Sequence, residues 1–262
     1  MKKVLPDFFI TKLDTVGFQR HSHTSPTVIP KYGFAFLTAG KILVRAGGEQ
    51  FLIKSGEFML MPPDTPFEIE YFDNSIGFDG GFAAYILKDA SYGILHAGQP
   101  RQQSFLPKDV DFVNELFSRI HAASQSEPQN MAVILSCLDL VFSLLRVEGG
   151  TAASLLAGQF LNAVFDRNRM PGSVSSYARE LHVRPEKLTK AVKRYTERTA
   201  VDWIEIARLN YAKQLLRNSD MPIIEVAAAV GIDDQSYFAR FFRKKEGISP
   251  SKFRLNNKTK KS

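Results

Sequence analysis

The length, composition and charge of the chain exclude several classes of protein. Its 262 residues (29.4 kDa) are 44% hydrophobic and 23% charged, which excludes a disordered or collagen-like chain and is enough to bury a core. Cys137 is the only cysteine, so a disulfide framework and a cysteine-based zinc site are excluded. The longest apolar run, at 131–145, is interrupted and too short to span a membrane. The N-terminus lacks the apolar stretch of a signal peptide, so we expect a cytoplasmic protein.

The charge is divided unevenly along the chain. Residues 1–150 carry 13 Lys and Arg against 16 Asp and Glu, a net charge of −3, whereas residues 151–262 carry 21 against 11, a net charge of +10. A basic region beside a slightly acidic one favours a polyanionic partner for the basic part. On charge alone, a basic domain without such a partner is an equally good interpretation.

The N-terminal region has the pattern of β-strands. Residues 41–54 form two strand-like runs around a Gly-Gly pair at 47–48, which tolerates positive φ and suits a tight hairpin. Residues 58–61 are a short apolar run ended by Pro62, and acidic and apolar residues alternate over 67–71. Several short strands with such turns predict a barrel or jelly roll.

The hydrophobic period changes to helical spacing near residue 108. Apolar residues recur every three or four positions over 110–120 and 134–145, which predicts two amphipathic helices. After a flexible hinge near 148–151, the chain has helical patterns to about residue 253. The whole predicts a two-domain α+β protein. Its parts are a β-barrel or jelly roll with two packing helices over 1–148, an all-α domain over 152–256 and a basic tail over 257–262.

The last third of the chain contains a weak internal repeat. In each copy a short helix with a small alanine precedes a turn and a second helix, at 177–194 and at 226–244. The turn falls on His182 in the first copy and on Gly231 in the second, where the residue must tolerate positive φ. This arrangement predicts two helix-turn-helix units.

An amphipathic helix over 202–217 separates the two units. It would run about 24 Å, enough to hold the second helices of the units roughly one DNA turn, about 34 Å, apart. One chain would then read two consecutive major grooves on one face of the duplex.

Several short motifs in this region carry a family resemblance. They are Ile224-Glu225-Val226-Ala227, Val230-Gly231-Ile232, the run from Ser236 to Lys244, Gly247-Ile248-Ser249-Pro250, Phe253-Arg254 and, upstream, the run from Arg208 to Leu216. Through them, about residues 157–255 resemble the AraC/XylS family of transcriptional regulators. His182 and Glu197 stand where the family usually has glycine, so we expect the first unit to sit less regularly on DNA or to contribute less affinity.

The resemblance implies that the second helix of each unit enters the major groove of double-stranded DNA. We expect base contacts from outward-facing residues: Gln235, Ser236 and Arg240 in the second unit, and Glu186, Thr189 and Lys190 in the first. We expect phosphate contacts from basic residues: Arg184, Lys193, Arg194, Arg243, Lys244, Lys245 and Arg254. Glu186 is the weakest of these assignments, because its carboxylate repels phosphates. The alternative for all of them is a solvated helix face.

The first domain fits the same resemblance. Residues 56–67 look like the second cupin motif, with Phe67 where metal-binding cupins have a histidine, and His21 and His23 look like a remnant of the other motif. Because Phe67 cannot ligate a metal and no carboxylate is well placed, we expect no metal and no other cofactor. A metal-dependent cupin enzyme with a DNA-binding tail is the alternative that Phe67 argues against, so we expect no enzymatic activity.

Regulation is expected to enter through the first domain, by a small-molecule effector or by a regulatory protein. We expect a mostly apolar effector pocket between the sheet and the helices at 108–147. Phe34 and Phe67 would line it, and Lys31, Tyr32 and Arg45 would supply a polar end for a carboxylate. The resemblance implies a homodimer through the helices at 108–147 and a contact with RNA polymerase. It leaves open the effector, the operator and the direction of regulation.

Overall fold

The chain folds as two compact units that divide between Gly149 and Gly150. The computed structural model describes residues 7–13, 26–83, 86, 100–105, 107–126, 128–145, 152–166 and 171–258. The first unit combines antiparallel strands with two long helices, and the second is helical throughout its described part, so the predicted α+β class is confirmed. None of the helices in these ranges has both the length and the apolar character that a membrane span requires.

The strands of the first unit form one antiparallel sheet. Their bounds are β1 Phe8–Leu13, β2 Tyr32–Ala46, β3 Glu49–Lys54, β4 Glu57–Met61, β5 Phe67–Phe82 and β6 Arg101–Ser104. The order across the sheet is β1-β5-β2-β4-β6, and β3 pairs with the second half of β2. Bulges interrupt the long β2–β5 pairing between Leu37 and Val44, and such bulges bend and twist a sheet.

The predicted strands are found. β2 and β3 form the expected hairpin, with Gly47 and Gly48 at φ of 57° and 89°, and β4 is the expected short strand. Residues 67–71 begin β5, the strand that their alternation predicts. Glu70 is buried in this strand, and its Oε1 accepts a hydrogen bond from Arg45 Nε at 2.9 Å.

One face of the sheet packs on the two predicted helices, α1 (Val110–Ser124) and α2 (Met131–Leu144). Strand alternation directs a set of phenylalanines to this face: Phe8, Phe34, Phe36, Phe58, Phe78 and Phe82. They meet aromatic side chains of the helices, with ring centroids 4.9 Å apart for Phe36 and Phe117 and 5.9 Å apart for Phe58 and Phe142. The packed rings close the space between sheet and helices.

The second unit contains the predicted helix-turn-helix pairs and the helix between them. Its helices are α3 Ala152–Val164, α4 Val174–Glu180, α5 Pro185–Thr196, α6 Ala200–Asn218, α7 Ile223–Ala229, α8 Gln235–Glu246 and α9 Pro250–Lys258. α4 and α5 form the first unit, and α7 and α8 form the second. We call α6 the linker helix; its 19 residues span about 28 Å, slightly more than predicted.

Side-chain caps fix where several of these helices begin. Ser173 and Ser176 form a reciprocal capping box at the start of α4, and Thr199 and Asp202 form another at the start of the linker helix. The Asp234 carboxylate accepts hydrogen bonds from two backbone amides of α8, which hold the pKa of this carboxyl below its usual value. The sequence thus sets the first turn of these three helices locally.

The two positions that depart from the family pattern have the same left-handed backbone conformation as the glycines at the equivalent positions of the second unit. His182 has φ of 54° where Gly231 has 74°, and Glu197 has φ of 62° where Gly247 has 77°. Both helix-turn-helix units therefore have a positive φ at equivalent positions. In the first unit this conformation is strained, because His182 and Glu197 have a Cβ atom and glycine does not. Whether the first unit contributes less to DNA binding stays a prediction.

The steric cost of a residue other than glycine can be measured by substitutions at these turn positions. His182→Gly should raise the free energy of unfolding by about 0.5–1 kcal/mol, whereas Gly231→Ala should lower it by about 1 kcal/mol, because φ is positive at both positions. Urea unfolding followed by fluorescence of Trp203, the only tryptophan, reports on this unit. A loss of stability in His182→Gly would show that the histidine makes compensating interactions.

Candidate DNA-binding surface and sheet cavity

The second helix of each helix-turn-helix unit, α5 and α8, has one buried face and one exposed face. We call these the recognition helices. Leu188 and Val192 of α5 and Phe238 and Phe242 of α8 are fully buried at positions 50 residues apart. This packing fixes the rotation of each helix about its axis. The opposite faces, where the sequence predicts DNA contacts, point to solvent.

The predicted base-contacting residues lie mostly on these exposed faces. Gln235, Ser236 and Arg240 of α8 are exposed, and so are Glu186 and Lys190 of α5. Arg240 and Lys190 occupy equivalent positions, as do Ser236 and Glu186. Thr189 is only half-buried, because it lies at the edge of the buried face. The fold thus brings the predicted set into two matching groups, one on each recognition helix.

All but one of the predicted phosphate-binding residues are exposed, namely Arg184, Lys193, Arg194, Arg243, Lys244 and Lys245. The Nζ atom of Lys245 also lies 2.7 Å from Glu205 Oε2 of the linker helix. Arg254 is half-buried and donates a hydrogen bond to the carbonyl oxygen of Met221, next to the start of α7. Lys245 and Arg254 thus have partners inside the unit, and the phosphate contacts of the whole set stay predictions.

The linker helix bonds to the last residue of each recognition helix, a feature that the sequence analysis missed. Trp203 Nε1 donates to Thr196 Oγ1 at 2.8 Å, and Lys213 Nζ forms an ion pair with Glu246 Oε1, also at 2.8 Å. Thr196 and Glu246 are equivalent residues, 50 positions apart. The 50-residue spacing of the repeat places Thr196 and Glu246 at equivalent positions. The two contacts share no sequence motif, because one is a hydrogen bond and the other is an ion pair.

Both of these contacts are shielded from water. Trp203 and Thr196 are fully buried, and Lys213 is 6% exposed. Burial lowers the pKa of Lys213, and the neighbouring Glu246 carboxylate opposes this change. Removing one partner of a buried ion pair leaves the other charge without compensation, which is strongly destabilising. The linker helix therefore holds both recognition helices in fixed orientations.

The first unit contains a cavity of about 170 Å³ on the sheet face opposite to the helices. We call it the sheet cavity. Its described lining is Phe9, Leu13, Thr27, Ile29, Phe34, Ala35, Ile42, Val44, Met59, Met61, Phe67, Glu68, Ile69, Asp79 and Gly80. This cavity is not the pocket predicted between the sheet and the helices, where the described phenylalanine rings are packed; that pocket stays a prediction.

The residues predicted to line the effector pocket do not all lie in the sheet cavity. Phe34 and Phe67 are among the residues that line the sheet cavity, although the Phe34 ring packs against Phe117 on the helix face. Lys31 instead pairs with Asp7 at 3.1 Å and Arg45 with Glu70 at 2.9 Å, and the Tyr32 ring stacks on Phe82 with centroids 5.5 Å apart. Because these three point to other partners, the expected polar end for a carboxylate ligand is not present in the described lining.

Asp79 is the ionisable residue that the sequence analysis missed. Its Oδ1 atom is closed to solvent and has no hydrogen-bond partner within the described part of the chain. Burial raises the pKa of Asp79 from 3.8 to about 6, while a hydrogen bond from its own backbone opposes this rise. The available signal was an acidic residue in a glycine-rich strand, Gly77-Phe78-Asp79-Gly80-Gly81, where a side chain has few neighbours.

A metal site finds no support in the described residues. His21 and His23, the proposed remnant of a cupin ligand set, lie outside them. Within the described ranges, no three His, Cys, Asp or Glu side chains come together as a metal would require. Phe67, at the place of the missing histidine, begins β5.

Two family models match the chain, one for each unit. The model described as an AraC-like ligand binding domain matches residues 13–145, about half of the chain. The model described as a helix-turn-helix domain matches residues 177–256, which includes both recognition helices. The matches correspond to the sheet unit and to the helical unit of the fold.

Curated relatives match over nearly the whole chain. The arabinose operon regulatory protein of Salmonella typhimurium is 25% identical, and the alignment covers 94% of this chain and 91% of the relative. The Msm operon regulatory protein of Streptococcus mutans is 23% identical, with 87% and 86% covered. The similarity therefore extends through both units in the same order.

Solved structures are similar as well. The C-terminal domain of AraT from Geobacillus stearothermophilus is 26% identical, with a TM-score of 0.37, covering 40% of this chain and 88% of that one. ToxT from Vibrio cholerae is 13% identical, with a TM-score of 0.35 and coverage of 95% and 97%. Because these TM-scores are low, the assignment of both units rests on the family models.

The effect of Asp79 on the free energy of unfolding should depend on pH. Its raised pKa means that the unfolded chain loses this proton at lower pH, so the free energy of unfolding falls as the pH rises from about 4 to about 6. Asp79→Asn should therefore raise that free energy by about 1–3 kcal/mol at pH 7.5 and by much less at pH 4. Urea unfolding followed by far-UV circular dichroism measures both values.

The exposed carboxylate Asp111 of α1 supplies the control for this experiment. Asp111→Asn should change stability little at either pH. An equal gain from Asp79→Asn at pH 4 and pH 7.5 would contradict the ionisation argument.

Proposed function

Because the chain belongs to the AraC family of DNA-binding transcriptional regulators, we propose that its two recognition helices bind adjacent major grooves and that the sheet cavity holds a small effector. The effector changes the affinity of the second unit for DNA, and thereby transcription. The bound state of the first unit and the DNA-bound state of the second are thus linked by a coupling free energy.

The observation that carries this proposal is the pair of matching recognition helices on one linker helix. Each presents an exposed basic face, and each is bonded to the linker helix at its last residue. A linker helix of about 28 Å is compatible with recognition helices roughly one DNA turn, about 34 Å, apart. A fixed separation of this size supports simultaneous binding on one face of the duplex.

The exposed residues then have distinct proposed roles. Arg240 and Gln235 have side chains that can pair with guanine and adenine edges, and Lys190 takes the position of Arg240 in the first unit. The phosphate ligands are the exposed basic residues at 184, 193, 194, 243 and 244. Glu186 and Ser236 begin their helices at equivalent places, where a carboxylate accepts a hydrogen bond from cytosine and a hydroxyl accepts or donates.

The matched relatives are regulators of operons rather than enzymes, as their names state. No feature of the described residues favours the alternative of a metal-dependent cupin enzyme. The sheet cavity is lined mainly by apolar residues, which supports a small effector over a regulatory protein as the ligand of the first unit. From the family relation we also propose a contact with RNA polymerase.

We further propose that the chain forms a homodimer through α2. The helix buries Ile134, Leu138 and Val141 against the sheet, while Val133 and Leu140 remain 37% and 44% exposed. These two residues are seven positions apart and so lie on one stripe of the helix, facing away from the core. An exposed apolar stripe of this kind is suited to pairing with a second copy.

The base and phosphate roles can be separated on a DNA site obtained by in vitro selection. Arg240→Ala should cost about 1–3 kcal/mol on the selected site and little on random DNA, because a base contact is lost. Lys244→Ala should weaken both and reduce the slope of log K against log salt by about 0.9, because one phosphate contact is lost. Fluorescence anisotropy titrations at several salt concentrations measure both effects.

Lys245 is the matched control for Lys244, since it is adjacent and has the same charge. Its ammonium already pairs with Glu205, so Lys245→Ala should reduce DNA binding less than Lys244→Ala. Equal losses on selected and random DNA for Arg240→Ala would identify Arg240 as a phosphate ligand instead. No preference for duplex DNA in the unmodified chain would overturn the proposed function.

The dimer is tested by placing a charge on the α2 stripe. Leu140→Asp should weaken self-association at least about tenfold, because a buried charge in an apolar interface is costly. Leu155→Asp, at an exposed leucine of α3, should leave association unchanged. Analytical ultracentrifugation measures both, and a monomeric unmodified chain would exclude the dimer.

A further inference from the structure

We propose that the sheet cavity selects a small organic cation, an amine with an apolar body, and that Asp79 is the residue that binds its ammonium group. The inference rests on the proposed function in one respect, namely that the sheet cavity is the effector site. It goes beyond it by naming the chemistry of the ligand. Sequence analysis led to the opposite expectation, a carboxylate held by Lys31 and Arg45.

Within the described part of the chain, the surroundings of Asp79 leave its Oδ1 atom without a hydrogen-bond partner, and this atom is closed to solvent. On β5 the residues two positions away on the same face are Gly77 and Gly81, which have no side chains. Across the sheet Asp79 lies opposite Ala35 of β2 on one side and opposite Thr11 of β1 on the other. Ala35 offers only a methyl group, and the exposed Thr11 does not give Oδ1 a hydrogen bond.

A carboxylate in such a place calls for a ligand that donates hydrogen bonds. An ionised group loses its hydration when it is buried, and a bound cation would compensate for this loss through a charge-assisted hydrogen bond. The raised pKa of Asp79 reflects the same lack of compensation. A bound ammonium group would lower that pKa again.

The rest of the lining defines the body of the ligand. Apart from Asp79, Glu68 and Thr27, the described lining residues are apolar. The volume of about 170 Å³ is close to the roughly 150 Å³ of cavities known to take up benzene. The cavity therefore fits a single ring or a short branched chain, and the Phe9 and Phe67 rings at its wall add favourable contacts for a cation.

The charge of the lining argues against the other ligand classes. Glu68 is a second carboxylate in the described lining, which contains no Lys, Arg or His. A carboxylate ligand would therefore meet like charge without a counter-ion. A hard metal ion prefers six or more oxygen ligands, whereas two carboxylates and one hydroxyl in the described lining offer at most five.

Three probes of nearly equal shape test this selection: benzylamine, benzyl alcohol and benzoate. They differ in a positive, a neutral or a negative polar group on the same ring. Calorimetric titration of the full chain at pH 7.5 should show benzylamine binding at least about tenfold more tightly than benzyl alcohol, and no binding of benzoate. Thermal unfolding with each probe gives an independent measure of the same order.

Variants assign the effect to the sheet cavity. Asp79→Asn should weaken benzylamine at least about tenfold while changing benzyl alcohol less than about twofold, because only the charge is removed. Asp111→Asn is the matched control at an exposed carboxylate and should change neither. Ala35→Leu should block both ligands, since its side chain would fill the space beside Asp79. Far-UV circular dichroism confirms that each variant is folded.

Several outcomes would overturn the inference. These are no binding of benzylamine, equal binding of the amine and the alcohol, tighter binding of benzoate, and unchanged amine binding in Asp79→Asn. DNA binding of the same preparation, measured without probes, keeps the two proposals apart. If DNA binding is intact and the amine fails, only the ligand class is wrong; if the amine binds and DNA binding fails, the proposed function is wrong.

Discussion

The second unit depends on the contacts between the linker helix and the ends of both recognition helices. Trp203 reaches Thr196 by a buried hydrogen bond, and Lys213 reaches Glu246 by a buried ion pair, at equivalent positions of the two units. Each contact satisfies polar groups that would be costly to bury alone, so each fixes one geometry rather than merely adding stability. A rigid connection of this kind is what allows one chain to present two helices to DNA in a constant register.

In the first unit, one face of the sheet belongs to a packed core and the other face lines a cavity. Alternation along β2, β4 and β5 sends phenylalanines to the helix face and leaves mainly aliphatic and methionine side chains on the other face. The aromatic face packs tightly against α1 and α2. The other face carries the sheet cavity, where Ala35, directly opposite Asp79, contributes only a methyl group.

Asp79 affects both the stability of the first unit and the proposed binding of a ligand in the sheet cavity. Among the described residues its Oδ1 atom is closed to solvent and has no hydrogen-bond partner, and burial raises the pKa of this carboxyl, so its ionised form destabilises the free protein at neutral pH. Sites that bind ligands often retain such costs, because the ligand completes what the fold leaves unsatisfied. A cation in the sheet cavity would stabilise the sheet, whose opposite face carries α2, the helix proposed for dimerisation.

The sequence by itself determined the order of the elements, the two helix-turn-helix units and the family, because these follow from local spacing, caps and turn residues. The 47–48 hairpin, the α1 and α2 helices and the exposed positions around Arg240 were all predictable in this way. Tertiary structure alone decided which face of the sheet holds the cavity and which charged residues have partners inside the protein. Arg45, Lys245 and Arg254 pair with groups 25 to 40 positions away. The Oδ1 atom of Asp79 has no hydrogen-bond partner within the described residues. Both outcomes depend on packing between elements, which periodicity along the chain does not encode.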